Sequence, residues 1–255
     1  MMYLVCCVPV SPVREHASHR SEMISQVLFG EVVEVLEEGT DKWVRVRCLY
    51  DGYEGWTRLQ MFTEVREAIA KCEAHITADW SNDITINGQT MRIPFGCDLR
   101  GLMNGNAEWG KYSWSFKENH LDPKYTKPNE KNIRKLTNVF LNTAYLWGGR
   151  SVFGIDCSGF VQVVYKSFGI SLLRDASQQA TQGEAIGFLQ EAVCGDLAFF
   201  DNEEGKITHV GILLNDHEII HASHKVRIDK IDNQGIINAE TGERSHKLRI
   251  VKRYF

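Results

Sequence analysis

The pattern of hydrophobic and polar positions makes the first quarter of the chain β-rich. Between residues 3 and 62, short runs of alternating or β-branched residues are separated by turns that contain Gly30, Gly39 and Gly52. Alternation with a period of two is typical of half-buried strands, and closely spaced turns join such strands into a small barrel. Residues 32–36 and 43–47 are therefore predicted to be strands.

A second group of short strands follows, with less regular alternation. Residues 74–77, 83–88 and 91–96 carry its strand and turn residues, and the group extends from about residue 66 to residue 125. Pro123 and Pro128 then flank a polar segment that is typical of a linker. These boundaries predict three domains, which comprise residues 1–64, 65–126 and 127–255.

In the third domain, the sequence predicts a helix and a hairpin. Residues 158–168 have apolar side chains at spacings of three and four, which predicts a largely buried helix that ends at Gly169. Farther along, an apolar run at 210–214 is followed by the turn residues Asn215-Asp216-His217 and by a second apolar run at 218–222. The two runs are predicted to pair as antiparallel strands.

Cys157 immediately precedes the predicted helix, in the residue context of a nucleophile. Only a thiolate attacks carbonyl carbons well, and a thiol with a pKa of about 8.5 is mostly protonated at neutral pH. Unpaired N–H groups and the positive end of the helix dipole favour an anion here, and the same N–H groups can hold the oxyanion of an attacked carbonyl. We therefore expect a lowered pKa and a nucleophilic role for Cys157.

Two histidines of the hairpin supply the base that such a thiol requires. A chain reversal near Asp216 places His209 and His221 opposite or diagonal to each other. We expect His209 to be the general base for Cys157, and His221 to hold the His209 ring in the required tautomer. The remaining cysteines are interpreted as buried structural residues, namely Cys6, Cys7, Cys48, Cys72, Cys97 and Cys194. Six further histidines are interpreted as surface or hydrogen-bonded residues, namely His16, His19, His75, His120, His217 and His224.

Composition and charge narrow the classes of function. The chain has 255 residues, of which 43% are hydrophobic, and 29 basic against 33 acidic residues give a net charge of −4. Globular domains are expected, without the basic surface that nucleic acids or anionic membranes require. The seven cysteines are odd in number and lack metal-binding spacing, which favours a reducing compartment. The apolar residues 1–10 lack a basic region, so a cytoplasmic protein is expected, although a chain whose leader had been removed would look the same.

From about residue 129 onward the chain resembles the NlpC-type peptidases, papain-like cysteine hydrolases of bacterial cell-wall peptides. The matching motifs are Tyr145-Leu146-Trp147-Gly148-Gly149, Asp156-Cys157-Ser158-Gly159-Phe160, Arg174-Asp175-Ala176-Ser177-Gln178, Gly195-Asp196-Leu197, Thr208-His209-Val210-Gly211 and Ile220-His221-Ala222. The amino-terminal part resembles two bacterial SH3-like domains, the first through Gly30-Glu31, the strand at 43–46 and Gly55-Trp56. The resemblance implies an α+β fold, in which helices pack on an antiparallel papain-like sheet and two all-β SH3-like barrels precede it.

The resemblance also implies roles for site residues. Cys157 would be the nucleophile, His209 the base and His221 the third polar residue, with Tyr145 beside the thiol. The residues implied in substrate binding are Asp156, Glu22 and Tyr53 for a buried ammonium group, Ser158 and Ser177 for further hydrogen bonds, and Trp147 as an apolar wall. Two alternatives are that Glu22 is an ordinary solvated acid and that Tyr53 packs the barrel. Arg174 could bind a D-glutamyl α-carboxylate, or pair with Asp175 or Asp196.

The implied reaction is that of a γ-D-glutamyl-L-diamino acid endopeptidase of the dipeptidyl-peptidase VI type. Such an enzyme would cleave the amide between γ-D-glutamate and meso-diaminopimelate or lysine in free murein peptides with an unblocked L-alanine, because in the relatives with two such modules the first one closes one end of the cleft. A role in cell-wall peptide recycling follows, with a small murein peptide as partner, no nucleic acid or membrane, and no metal or other cofactor. The alternatives are a noncatalytic cell-wall peptide-binding protein and a thiol acyltransferase or deamidase on the same fold.

Overall fold

The computed structural model describes residues 1–255 and divides them into two compact units. The first unit comprises Met1–Lys124 with Trp147–Val152, and the second comprises Tyr125–Leu146 with Phe153–Phe255. Strands dominate both units. None of the helices has the length and apolar character needed to cross a membrane.

The first unit begins with a seven-stranded antiparallel sheet. Its strands are β1 (Tyr3–Cys6), β2 (Val10–Arg14), β3 (Met23–Leu28), β4 (Val32–Glu38), β5 (Trp43–Cys48), β6 (Glu54–Arg58) and β7 (Phe62–Val65), with a short 3-10 helix at Leu59–Met61. They are arranged in the order β3-β2-β6-β5-β4-β1-β7. The strands predicted at 32–36 and 43–47 are β4 and β5, so these two predictions are confirmed.

The rest of the first unit forms two smaller sheets. Its elements are α1 (Glu67–Ala70), β8 (Ala74–Thr77), β9 (Ser81–Ile86), β10 (Gln89–Pro94), β11 (Asp98–Arg100), β12 (Asn106–Trp109), β13 (Tyr112–Ser115), β14 (His120–Leu121) and β15 (Arg150–Ser151). The sheet orders are β10-β9-β13-β12 and β11-β8-β14, while β15 lies beside β3. The SH3-like character of this second region stays a prediction.

Strand β1 is apolar at every position because both of its faces are buried. Tyr3 and Val5 belong to a core shared with Trp109 and Trp114 of the smaller sheets, whereas Leu4 belongs to the core of the seven-stranded sheet. Successive side chains of a strand point to opposite faces, so β1 separates two cores and both of its faces are buried. Residues 1–65 and 66–124 are therefore joined by a common hydrophobic core.

The segment Trp147–Val152 belongs to the first unit because its backbone and side chains are held there. Gly148 has a φ of +75°, and a Cβ at this position would lie 2.3 Å from the Met23 carbonyl oxygen. Only glycine accommodates both the conformation and the close approach. Arg150 is fully buried and pairs with the Glu31 carboxylate at 2.8 Å.

The second unit combines short helices with a sheet that closes on itself. Its elements are α2 (Glu130–Asn138), β16 (Gly154–Ile155), α3 (Cys157–Lys166), α4 (Ala176–Gln179), β17 (Glu184–Ile186), a 3-10 helix at Leu189–Glu191, β18 (Leu197–Asp201), β19 (Ile207–Leu213), β20 (Glu218–Ser223), β21 (Lys225–Asp232), β22 (Gly235–Ile237) and β23 (Arg244–Arg253). The order is β17-β23-β18-β19-β20-β21-β22, and β22 also pairs with β23. The six strands from β18 to β23 therefore form a closed antiparallel ring.

Helix α3 lies against β19 and β20. It begins after Asp156, whose carboxylate accepts a hydrogen bond from the Gly159 N–H at 2.7 Å, as expected of an N-cap. All ten of its residues are buried, and the chain leaves the helix through Gly169, which has a φ of +71°. The predicted buried helix and the predicted β19–β20 hairpin are both confirmed.

Candidate active site

Cys157 is the first residue of α3, where its thiol lies against the neighbouring strand β19. The side chain is 6% exposed. The backbone N–H groups of Val210 and Ser158 lie close enough to the sulfur to favour its thiolate form. The helix start thus places the thiol against the strand residue that directly follows His209.

His209 and His221 are brought together by the register of the hairpin. Gly211 pairs directly with His221, so His209 lies two positions farther along β19 and diagonal to His221. The His209 Nε2 and His221 Nδ1 atoms are 2.8 Å apart. A Cβ on residue 211 would lie 2.8 Å from the His221 Cβ, which explains why glycine occupies this position between the two histidines.

A third buried group continues the chain of hydrogen bonds. The His221 Nε2 atom lies 2.9 Å from Asp229 Oδ2, on the next strand, β21. Asp229 also accepts a hydrogen bond from the Ala239 N–H and one from the Arg227 guanidinium. Burial alone would raise the pKa of Asp229, but the hydrogen bonds from His221, Ala239 and Arg227 outweigh it and hold the pKa at about 2. Asp229 is therefore ionised at neutral pH.

The hydrogen-bond network assigns the tautomers of both histidines. An ionised carboxylate only accepts hydrogen bonds, so the His221 Nε2 atom must carry a proton. Because this proton faces Asp229, the His221 Nδ1 atom can accept a hydrogen bond from His209. His209 then donates through Nε2, and its Nδ1 is the atom that remains as a base.

The protonation states of the resting site differ from the sequence-based expectation. Burial, followed by the charge of Asp156, raises the pKa of Cys157 to about 12, and the N–H groups of Val210 and Ser158 counteract this only in part. The expectation of a lowered thiol pKa was wrong because burial outweighs the helix end. Burial and the neighbouring His221 and His246 rings lower the pKa of His209 well below its ordinary value. Both partners are therefore neutral.

An open cavity of about 560 Å³ gives access to His209. It is lined by Tyr145, Thr208, His209, Ala222, Ser223, His224 and His246. Burial, together with the neighbouring Cys157 and Asp156, raises the pKa of the Tyr145 phenol, which stays protonated. Tyr145 therefore lies beside the thiol, as the resemblance implies, and it can donate a hydrogen bond.

Asp156 and Arg174 form a buried pair next to the nucleophile. The Arg174 guanidinium donates to both carboxylate oxygens of Asp156, at 3.1 and 2.6 Å, and to Ser158 Oγ at 3.0 Å. The aspartate in this pair was not predicted as a partner of Arg174, while Asp196 pairs with Arg253 and Asp175 caps α4. The charge of Asp156 is already matched, so this geometry does not favour it as the main partner of a substrate ammonium group.

The other residues predicted to bind substrate lie in different places. In the first unit, the Trp147 Nε1–H donates to Glu22 Oε1 at 2.5 Å, and the Trp147 side chain is 61% exposed. Tyr53 is half-buried in the same unit, where its N–H donates to Asp51. Ser177 is exposed on α4 of the second unit. The binding roles of these four residues stay predictions.

Two family profiles match the chain. The NlpC/P60 family matches residues 142–245, and the bacterial dipeptidyl-peptidase SH3 domain matches residues 13–60. A γ-D-glutamyl-L-lysine dipeptidyl-peptidase of Bacillus subtilis (strain 168) is 32% identical over 214 residues, which cover 78% of this chain and 71% of the relative. This chain belongs to the NlpC/P60 family. It is a cysteine peptidase.

Other comparisons agree with this NlpC/P60 assignment. A γ-D-glutamyl-L-lysine dipeptidyl-peptidase of Bacillus cereus (strain ATCC 10987 / NRS 248) is 28% identical over 261 residues, which cover 90% of this chain and 77% of the relative. The crystal structure of an NlpC/P60 family protein from Bacillus cereus ATCC 10987 matches with a TM-score of 0.82 and 21% identity, over 99% of both chains. The NlpC/P60 peptidase therefore shares the fold of that protein.

Sequence reasoning missed two site residues of this NlpC/P60 domain, Asp229 and His246. Strand β21 reverses the usual alternation, because Arg227 and Asp229 are buried while Ile228 is 39% exposed. The only sequence signal was the spacing of Arg227 and Asp229, which places two opposite charges on one strand face. His246 follows Ser245 and precedes Lys247 in a polar stretch that gave no indication of burial.

Proposed function

We propose that this NlpC/P60 peptidase hydrolyses the amide between γ-D-glutamate and a diamino acid in free murein peptides that begin with an unblocked L-alanine. The hydrogen-bonded series Asp229, His221 and His209, beside the thiol of Cys157, carries the chemical part of this proposal. The names of the two Bacillus relatives, γ-D-glutamyl-L-lysine dipeptidyl-peptidase, support the bond and favour L-lysine as the diamino acid.

The first step is attack by Cys157 as its proton moves to His209. Since thiol and imidazole are both neutral at rest, the proton transfers when the substrate brings them into contact. His209 Nδ1 takes the proton while Sγ bonds to the γ-carbonyl carbon. Tyr145, whose phenol stays protonated, is a candidate donor to the oxyanion that forms.

The second step releases the diamino acid and regenerates the thiol. The imidazolium of His209 gives its proton to the leaving amine, so that the C–N bond breaks and a thioester remains on Cys157. Water then attacks the thioester, with His209 again as base, and the released carboxyl group and free thiol complete the cycle. The ionised Asp229 favours the imidazolium of each half-reaction through His221.

The requirement for a free amino terminus is the finer part of the proposal. An enzyme with the activity named for the relatives releases a dipeptide, which requires the scissile bond to lie two residues from a free amino end. A desolvated ammonium group needs a carboxylate partner. Asp156 is already paired with Arg174, so the proposed ammonium site cannot rest on Asp156 alone.

We further propose that the enzyme acts on recycled wall fragments in the cytoplasm. All seven cysteines are free thiols, which supports a reducing compartment. Selectivity for free peptides would spare stem peptides still attached to the wall polymer, because their alanine is acylated.

A digest of synthetic L-Ala-γ-D-Glu-L-Lys with mass-spectrometric readout tests the proposal. Cleavage should release L-Ala-D-Glu and lysine, and the same peptide with an acetylated alanine should be cleaved at least about 100-fold more slowly, because acetylation removes the positive charge by which the proposed site recognises the amino end. Cys157→Ala should abolish turnover, whereas Cys194→Ala, a thiol outside the site, should retain it. Equal rates on free and acetylated peptides would refute the amino-end requirement, and turnover by Cys157→Ala would refute covalent catalysis.

A further inference from the structure

His246 covers one face of the catalytic imidazole. The ring centroids of His246 and His209 are 4.1 Å apart, with an interplanar angle of 27°, so the two rings are stacked. His246 lies on β23, at the closing strand of the ring of strands, and lines the same cavity as His209. Its ring centroid lies 5.9 Å from that of His221 and 5.9 Å from that of Phe200, both in edge-to-face geometry.

The strand pairing brings the backbone of His246 unusually close to its neighbour. Ile236 pairs with His246, and the register of β22 and β23 shifts between Ile236 and Ile237. A Cβ on Gly235 would lie 1.8 Å from the His246 carbonyl oxygen, so this approach requires glycine. Irregularities of this kind re-aim a side chain next to active sites.

The contacts of His209 restrain its ring in two independent ways. The hydrogen bond to His221 fixes one edge of the ring, and it leaves rotation about that edge available. The stacked His246 ring occupies the space into which the His209 plane would turn, while Phe200 lies at 5.7 Å with a tilt of 45°. Together these contacts determine the direction in which Nδ1 projects.

We propose that His246 is a positioning residue, which holds the plane of the general base His209 so that Nδ1 meets the thiol of Cys157. The inference rests on the role of His209 given under the proposed function, and does not depend on which peptide is the substrate. A stacked ring exchanges no hydrogen bond with His209, so it acts through the position that it imposes on the ring, beside its contribution to the lowered pKa of His209. Small misplacements of a base are costly in rate, of the order of 100-fold for about 1 Å.

The environment of His246 keeps its ring uncharged. The titratable groups near it are His209, His221, His224 and Asp229, and its Nδ1 lies 2.8 Å from Ser245 Oγ. Burial, together with the His221 ring, lowers the pKa of His246 to about 4, although Asp229 opposes this shift. At neutral pH His246 therefore adds no positive charge next to the imidazolium that forms on His209.

Substitution of the ring separates positioning from a merely structural role. His246→Phe keeps a planar ring, His246→Leu fills the space without one, and His246→Ala removes both. We expect His246→Ala and His246→Leu to lower kcat by about 10- to 100-fold with KM changed less than threefold, and His246→Phe to restore at least half of the wild-type kcat. His217→Ala, at an exposed turn, is the control and should equal wild type.

A second readout is independent of the peptide substrate. The rate of Cys157 alkylation by iodoacetamide at pH 7 should fall in His246→Leu and His246→Ala and recover in His246→Phe, with thermal unfolding confirming that each variant is folded. If His246→Ala does not fold, His246→Leu carries the comparison. Equal alkylation rates and kcat values in the Leu and Phe variants would overturn the proposal, as would a rise in KM with kcat unchanged. If the murein peptide is not cleaved while the alkylation rates differ as expected, the proposed substrate is refuted and the positioning role stands.

Discussion

Two buried aspartates of the second unit have similar chemistry and different consequences. Asp156 and Asp229 are each at most 5% exposed, and each is paired with an arginine, Arg174 or Arg227. The third partner differs, since Asp156 accepts from the hydroxyl of Ser158 and Asp229 accepts from the imidazole of His221. One pair therefore ends in a hydroxyl that does not contact the base, and the other pair orients the base through His221. The third hydrogen-bond partner of the aspartate therefore determines whether the aspartate–arginine pair contributes to stability or to catalysis.

The largest expected effect is a loss of activity on substitution of Asp229, which distinguishes this aspartate from Asp156. Asp229→Asn should lower kcat by about 10³- to 10⁴-fold, because a neutral amide no longer fixes the tautomer of His221 or favours the imidazolium of His209. KM should change little, since Asp229 does not line the cavity. Steady-state kinetics on the cleaved peptide measure this. A decrease of less than about threefold in Asp229→Asn would show that the series of hydrogen bonds ends at His221.

For Asp156→Asn we expect the opposite result. The free energy of unfolding should fall strongly, whereas kcat should fall less than it does in Asp229→Asn. This substitution removes the carboxylate that pairs with the buried Arg174, which costs about 3–5 kcal/mol of unfolding free energy. Urea denaturation measures this change. The double variant Asp156→Asn with Arg174→Met should recover much of the loss, because no unpaired charge remains. A double variant no more stable than the single one would contradict the pairing.

The buried histidines predict an acid-induced loss of stability. The pKa values of His209 and His246 are lower in the folded protein than in the unfolded chain, so the unfolded state binds more protons between the two values. Stability therefore rises with pH across this window and is lost as pH falls below about 6.5, with a slope of up to about 1.4 kcal/mol per pH unit for each histidine. Urea unfolding at pH 7, 6 and 5 should show this slope, and His246→Phe should reduce it. A wild-type stability independent of pH in this range would be inconsistent with buried neutral rings.

The smallest effect is expected at an exposed ion pair on the same strand as Asp229. Asp232 pairs with Arg244 at the surface, where solvent screens the charges. Asp232→Asn should leave kcat, KM and the unfolding midpoint unchanged within error, and it is therefore the matched control for Asp229→Asn. A clear loss of activity in Asp232→Asn would show that the strand tolerates no change, and the result for Asp229 would lose its specificity.

Local patterns were sufficient to predict part of the fold. The spacing of apolar residues predicted α3, and turn residues between two apolar runs predicted the hairpin that carries His209 and His221. The sequence could not predict the closure of the ring of strands, because β22 and β23 pair through a shifted register after an intervening turn. It also could not show that β1 serves two cores, since a fully apolar strand is compatible with several packing arrangements.

Part of the candidate site could likewise be predicted from the sequence, and part could not. The cysteine and the two histidines were identified because their residue types and spacing already specify the chemistry. Asp229 was missed because its strand buries the charged positions and exposes Ile228, against the usual alternation. The pKa of Cys157 was misjudged because the helix end is a local feature, whereas burial depends on every element packed around the thiol.

The tautomer of His209 decides whether a base faces the thiol of Cys157. Histidines labelled with ¹⁵N allow NMR at pH 7.5 to determine which ring nitrogen carries the proton, with His209→Gln and His221→Gln variants to assign the signals. We expect a proton on Nε2 and a bare Nδ1 in His209, and a proton on Nε2 in His221. In Asp229→Asn the pattern at His221 should be lost. A proton on Nδ1 of His209 in the wild-type enzyme would contradict the proposed mechanism, because no base would then face the thiol.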